Sequence, residues 1–157
     1  MSNAELKNQC RQLLESCDAL FLATIDDSET PMASFAPCWR DSRGYFYVML
    51  SDLAEHTGNL RNRPAASCLV LGPNSDDAFS RPRVTLKLNA EFLQRSDPDY
   101  QPALDGLTHR HGETMEILRD LADFHLIRLK PVSGTLIGGF ATTLMIGPDT
   151  TPDLIPA

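Results

Sequence analysis

Arg83-Val84-Thr85-Leu86-Lys87-Leu88-Asn89-Ala90-Glu91-Phe92 is the stretch on which the fold turns. Val84, Leu86, Leu88, Ala90 and Phe92 take one set of alternate positions, and Arg83, Thr85, Lys87, Asn89 and Glu91 the other. Successive side chains of a strand point to opposite faces, so this run is a strand with one buried and one solvated face. Shorter β runs flank it. Towards the N-terminus lie Ala66–Leu71, Tyr45–Ser51, Met32–Pro37 (ended by its proline) and the continuously apolar Ala19–Ile25. Asp41-Ser42-Arg43-Gly44 and Asp26-Asp27-Ser28 read as the turns between them. A short helix from Asp52 to Asn62 is closed by Pro64, and a helix over about 4–17 takes Asn3 as N-cap. Towards the C-terminus, a helical region from about Pro98 to Ala122 carries Met115, Leu118 and Leu121. The strands Phe124–Lys130 and Thr135–Met145 follow, then an extended tail, Pro148–Ala157. Six or seven antiparallel strands with short turns and peripheral helices predict a small barrel, a mainly β (α+β) fold.

The chain of 157 residues has no repeat or long linker, and it reads as a single domain. Hydrophobic residues at 42% and charged residues at 22% exclude a disordered chain, a coiled coil and a collagen. Leu136–Ile146, the longest weakly polar stretch, falls far short of the roughly 20 apolar residues of a membrane helix. No cationic-then-apolar leader opens the sequence, so a cytoplasmic protein is expected. The formal net charge of −7 disfavours nucleic acid and anionic membrane as partners, but not a local basic pocket. Cys10, Cys17, Cys38 and Cys68 include no CxxC pair and read as reduced, buried small hydrophobes.

Three places suit a ligand. At Ser51 a strand passes into a helix, whose free N–H groups form a phosphate cradle with His56 a turn further on; equally, Ser51 caps a helix and His56 is solvated. Arg81-Pro82-Arg83 could grip a phosphate bidentately, or protect a strand edge from aggregation. Gly134 and Gly138-Gly139-Phe140 mark a bulge or a close approach by a ligand or second backbone. His109-Arg110-His111 with Glu113 has the composition of a metal site, but its spacing does not put two ligands on one helical face, and no metal is expected.

The order Leu22-Ala23-Thr24, Pro31-Met32-Ala33-Ser34-Phe35-Ala36-Pro37, Tyr47-Val48, Ser51-Asp52-Leu53-Ala54-Glu55-His56-Thr57-Gly58-Asn59-Leu60 is informative as a set. Continued by Arg81-Pro82-Arg83-Val84-Thr85, Asp123-Phe124 and Gly138-Gly139-Phe140, it resembles the FMN-binding split barrels related to pyridoxamine 5′-phosphate oxidase. More narrowly, it resembles their haem-utilisation (HugZ-type) branch, over about residues 15–147. The resemblance implies a six-stranded split barrel that dimerises with FMN at the subunit interface. Ala33, Ser34 and Ala36 would then run beside the flavin, and Ser51 and Leu53 would lie near its ribityl chain and phosphate. His56 would stand in for a phosphate-binding lysine, with Asn59, Arg81 and Arg83 completing the polar cradle. The function implied is that of a flavoprotein oxidoreductase acting on a small molecule, with no acid or base identified. The alternatives are a haem-binding or haem-utilisation protein on the same fold, and a flavin-binding protein without turnover. Ser34 stands where the oxidases have an arginine. For haem, the candidate iron ligands are His56, His109, His111, His125 or a non-histidine group.

Overall fold

The structure is a computed structural model and describes residues 1–139 and 142–147. Phe140 of the glycine motif and the tail Pro148–Ala157 lie outside the described residues. Seven strands follow one helix: α1 (Asn3–Glu15), β1 (Ala19–Ile25), β2 (Pro31–Arg40), β3 (Phe46–Ser51), α2 (Glu55–Asn62), β4 (Ala65–Leu71), β5 (Arg83–Phe92), α3 (Tyr100–His111), α4 (Glu113–Leu118), β6 (Phe124–Gly139) and β7 (Thr142–Ile146). Neighbours run in the order β3-β2-β1-β4-β5-β6-β7, every pair antiparallel. β3 also pairs with β6, Phe46 to Ser51 against Leu129 to Phe124, which closes six strands into a barrel and leaves β7 as an added hairpin strand. The mainly β barrel expected from the alternating runs, and the six-stranded split barrel implied by the family resemblance, are therefore present.

Alternation builds the interior. Val84, Leu86, Leu88 and Ala90 of β5 point inward and meet Leu20 and Leu22 of β1, Val48 of β3 and Leu129 of β6, all buried. α1 packs Leu6, Cys10, Leu13 and Leu14 against the same core. A second cluster lies outside the barrel, where Leu104 and Leu107 of α3 and Met115 of α4 cover Tyr47 and Leu126. α3 approaches β2 so closely that a Cβ on Gly106 would collide with the Trp39 ring. Among the described residues, no helix is long and apolar enough to cross a membrane.

Several boundaries differ from the sequence reading, each for a local reason. Ser2, not Asn3, caps α1: its hydroxyl accepts from the Glu5 N–H while the Glu5 carboxylate accepts from the Ser2 N–H, a reciprocal capping box. Pro37 does not end β2, because the strand leaves β1 there and pairs with β3 from Cys38 onward. Gly112, with φ +68°, breaks the long helical region into α3 and α4 and leaves Leu121 exposed. The last two strands are not separated where expected. β6 runs unbroken from Phe124 to Gly139, because Val132 is an extra residue between the Lys87–Ser133 and Leu88–Pro131 pairs. This bulge absorbs Pro131 without ending the strand. Gly134 beside it is required by a close backbone: a Cβ would strike the Thr85 carbonyl oxygen.

Candidate functional site

The β3–α2 junction is built by short polar contacts. Ser51 ends β3, where its hydroxyl accepts from the Leu53 N–H at 3.1 Å and donates to Asp123 at 3.3 Å. The Ala54 N–H donates to the Ser51 carbonyl and the Asp52 N–H to the Asp123 carbonyl. The three N–H groups directly after Ser51 are thus engaged, and α2 starts at Glu55 rather than at Asp52. Buried Thr57 donates to the Ser51 carbonyl, and buried Asn59 donates from Nδ2 to Thr24 Oγ1 at 3.1 Å. Those bonds dock α2 on β3 and β1.

Docking places His56 beside β2, with Nδ1 2.9 Å from Ser34 Oγ. The imidazole is half-buried, and desolvation lowers its pKa below the ordinary histidine value, so the neutral ring is favoured. Leu53 next to it is 92% exposed, whereas Ala36 is fully enclosed in the barrel core. The other imidazoles are placed differently. His111 donates from Nε2 to the Cys38 carbonyl at 2.8 Å. His125 pairs through Nε2 with Asp52 at 2.7 Å, and this contact, with help from Arg61, holds the Asp52 carboxyl below its usual range. His109 is exposed. No cluster of three metal-binding side chains occurs among the described residues.

Near the same end of the barrel, the outer sheet face carries a groove of about 670 Å³. Ala23, Ile25, Ala65, Leu88 and Val132 line it, and Lys87 is the one charged residue on its wall. Exposed Phe21 and Phe35 stack edge-to-face next to it, 5.9 Å between centroids, and Leu69 pairs opposite Phe21.

The family described as pyridoxamine 5′-phosphate oxidase matches residues 6–138. This chain belongs to the pyridoxamine 5′-phosphate oxidase family. The family member is 28% identical over 152 residues to a Vibrio cholerae protein named heme oxygenase HutZ, covering 96% of this chain and 86% of that one. A solved Vibrio cholerae HutZ, described as a heme storage protein, superposes with a TM-score of 0.74 at 25% identity, over 90% of this chain and 96% of that one. A heme binding protein from Mycobacterium smegmatis has the same fold, with a TM-score of 0.83 at 23% identity, over 96% of this chain; the family member spans 61% of that chain. The haem-utilisation branch suggested by the sequence is thereby supported, and FMN is not singled out over haem.

In this family member, Ser34, Ser51, Leu53, His56 and Asn59 gather around α2, with Ala33 and Ala36 along β2. Arg81 and Arg83 do not join them within one chain. α2 runs through Pro64 into Ala65 at the start of β4, whereas Arg83 pairs with Leu71 at its far end, about 20 Å away at the strand rise. Arg81 bonds the Gly72 carbonyl there at 2.9 Å, and Arg83 the Arg81 carbonyl at 3.0 Å. Sequence reasoning placed Thr24 and Asp123 in the family motifs without a site role, and it missed the Asp52–His125 pair. The contacts of Asp52 and Ser51 with His125 and Asp123 exist only because β6 closes on β3, a pairing across more than seventy residues that no local pattern announces.

Proposed function

We propose that this protein binds haem in haem utilisation, with His56 as the imidazole that meets the iron. The carrying observation is the Ser34–His56 contact. A metal-bound histidine usually holds its second ring nitrogen in a hydrogen bond that sets the tautomer and aims the first. With Nδ1–H donated to Ser34 Oγ, Nε2 keeps its lone pair for a metal. His111 and His125 have Nε2 already engaged. The relationship to HutZ over most of the chain supports the same reading. Bound haem would supply iron redox chemistry, while the protein binds, orients and shields it.

A second reading, an FMN-binding oxidoreductase with the flavin against β2 and the Ser51–His56 junction, draws on family membership. Either ligand would sit between two copies of the chain, a homodimer that the exposed Phe21–Phe35 face favours. The discriminating experiment is titration of purified protein with haemin and with FMN, followed by absorbance. Haem binding with a Soret shift is expected, and His56→Ala should weaken it at least 10-fold while far-UV circular dichroism stays unchanged. Tight FMN binding without haem binding would favour the second reading. Haem binding indifferent to His56→Ala would remove His56 as the ligand.

A further inference from the structure

The four cysteines are all buried free thiols, yet they are not equivalent. Burial pushes Cys10 up to about 11 and Cys68 up to about 12, as expected of inert core thiols. Cys17 and Cys38 instead face each other, Sγ to Sγ 4.0 Å apart. Their main chains are tied together, because the Cys38 N–H donates to the carbonyl of Asp18 at 2.9 Å. This bond pairs Cys38 with Asp18, the residue directly after Cys17, so the two cysteines sit on adjacent stretches of main chain. The sulfurs must close by about 2 Å to reach the S–S bond length of about 2.05 Å. Cys17 lies at the joint between α1 and β1, 8% exposed, with exposed Ser16 and Asp18 on either side; Cys38 is fully enclosed in β2.

We propose that Cys17 and Cys38 form a dithiol that hydrogen peroxide converts into an intramolecular disulfide. Cys17 is the sulfur a small oxidant reaches first, and its thiol is lowered chiefly by the hydrogen bond from Cys38, while Cys38 is raised and keeps its proton. The Cys17 thiolate attacks one oxygen of the peroxide. The O–O bond breaks, the sulfur is oxidised to a sulfenic acid, and the departing oxygen leaves as water after protonation. The Cys38 sulfur then attacks the Cys17 sulfenic sulfur. An S–S bond forms, the S–O bond breaks, and the Cys38 proton leaves with the hydroxyl as a second water. Two thiols and one peroxide become one disulfide and two waters. The product staples the α1–β1 joint to β2, the strand that carries Ser34.

Reduced full-length protein is treated with hydrogen peroxide, denatured, alkylated and mapped by mass spectrometry. Two of the four thiols should escape alkylation, with one linked peptide joining Cys17 to Cys38 that dithiothreitol separates. Cys10→Ser and Cys68→Ser should retain this behaviour, and Cys17→Ser should abolish it. Alkylation of all four thiols, a linkage through Cys10 or Cys68, or a sulfinic acid at Cys17 with Cys38 still alkylated would overturn the proposal. The wild-type map decides the matter even if a variant fails to fold.

Discussion

Burial keeps His56 neutral, and that sets the sign of a pH effect. As an iron ligand His56 must offer an unprotonated nitrogen, so haem affinity is expected to hold at neutral pH and to fall as pH drops through the lowered pKa of the ring. As a phosphate partner it must be a cation, and a bound dianion would draw its pKa back up. FMN affinity would then rise with acidification and fall as pH rises past the imidazole's ligand-bound pKa. Titrations with the two ligands from pH 5 to 8, repeated with His56→Ala, separate these slopes. A second residue-scale prediction concerns Asn59, whose amide donates to Thr24 Oγ1 in a buried pocket. Asn59→Ala leaves that hydroxyl without its donor and should cost about 1–3 kcal/mol in urea unfolding. It should also loosen α2, so ligand affinity falls with it. An unchanged unfolding midpoint would mean that α2 is held by Thr57 and Leu60 alone.

At the scale of elements, α3 is fastened to the barrel by charge. Asp99 stands at its N-cap, but the carboxylate turns away from the helix to Arg43 at 2.6 Å and Arg128 at 2.7 Å. Arg128 also reaches Glu91 and Asp97, and Lys130 reaches Glu91 at 3.0 Å. Arg43 holds the Asp99 carboxyl below the ordinary range, and Arg128 does the same for Glu91. A carboxylate depressed on folding stabilises above its unfolded pKa of about 4 and loses that contribution as pH falls through the folded value. Acid unfolding should therefore begin below about pH 4, and Arg128→Ala should weaken this dependence. At neutral pH the same variant should cost about 1.5–3 kcal/mol, the worth of a charged hydrogen bond. Chemical denaturation of wild type and variant at pH 7 and pH 3.5 measures both, and a difference equal at the two pH values would dissociate the clasp from the titration. The element boundaries carry a related lesson. The helical region read from Pro98 to Ala122 is cut at Gly112, whereas the strand read as Phe124–Lys130 continues through Pro131 as part of sixteen residues. The strand passes Pro131 because of Val132, an extra residue whose bulge exists only against β5.

Across the whole molecule, the two halves of the expected cradle lie at opposite ends of β4, so a ligand that uses both must bridge two copies. Light scattering should show a dimer at micromolar concentration, and Phe21→Glu with Phe35→Glu should yield a folded monomer. If FMN is gripped from both sides, Arg83→Ala and His56→Ala should each weaken it about 10- to 150-fold, as expected for losing one charged hydrogen bond, and neither should alter riboflavin binding. A monomer that binds as tightly as wild type would dissolve the shared site. What the amino-acid sequence determined by itself was the strand periodicity of Arg83–Phe92 and its neighbours, the inward set Val84, Leu86, Leu88 and Ala90, and the ordered motifs of the family. These are local: alternation is a property of consecutive residues, and burying one face of each run leaves a closed sheet as the natural solution. Tertiary structure alone decided that β6 closes on β3, bringing Asp123 and His125 to Ser51 and Asp52, and that Arg83 stands a strand's length from His56. It alone also set Cys17 against Cys38. Such contacts depend on register between segments distant in the chain, and register is fixed by how the whole core packs rather than by either segment's own pattern.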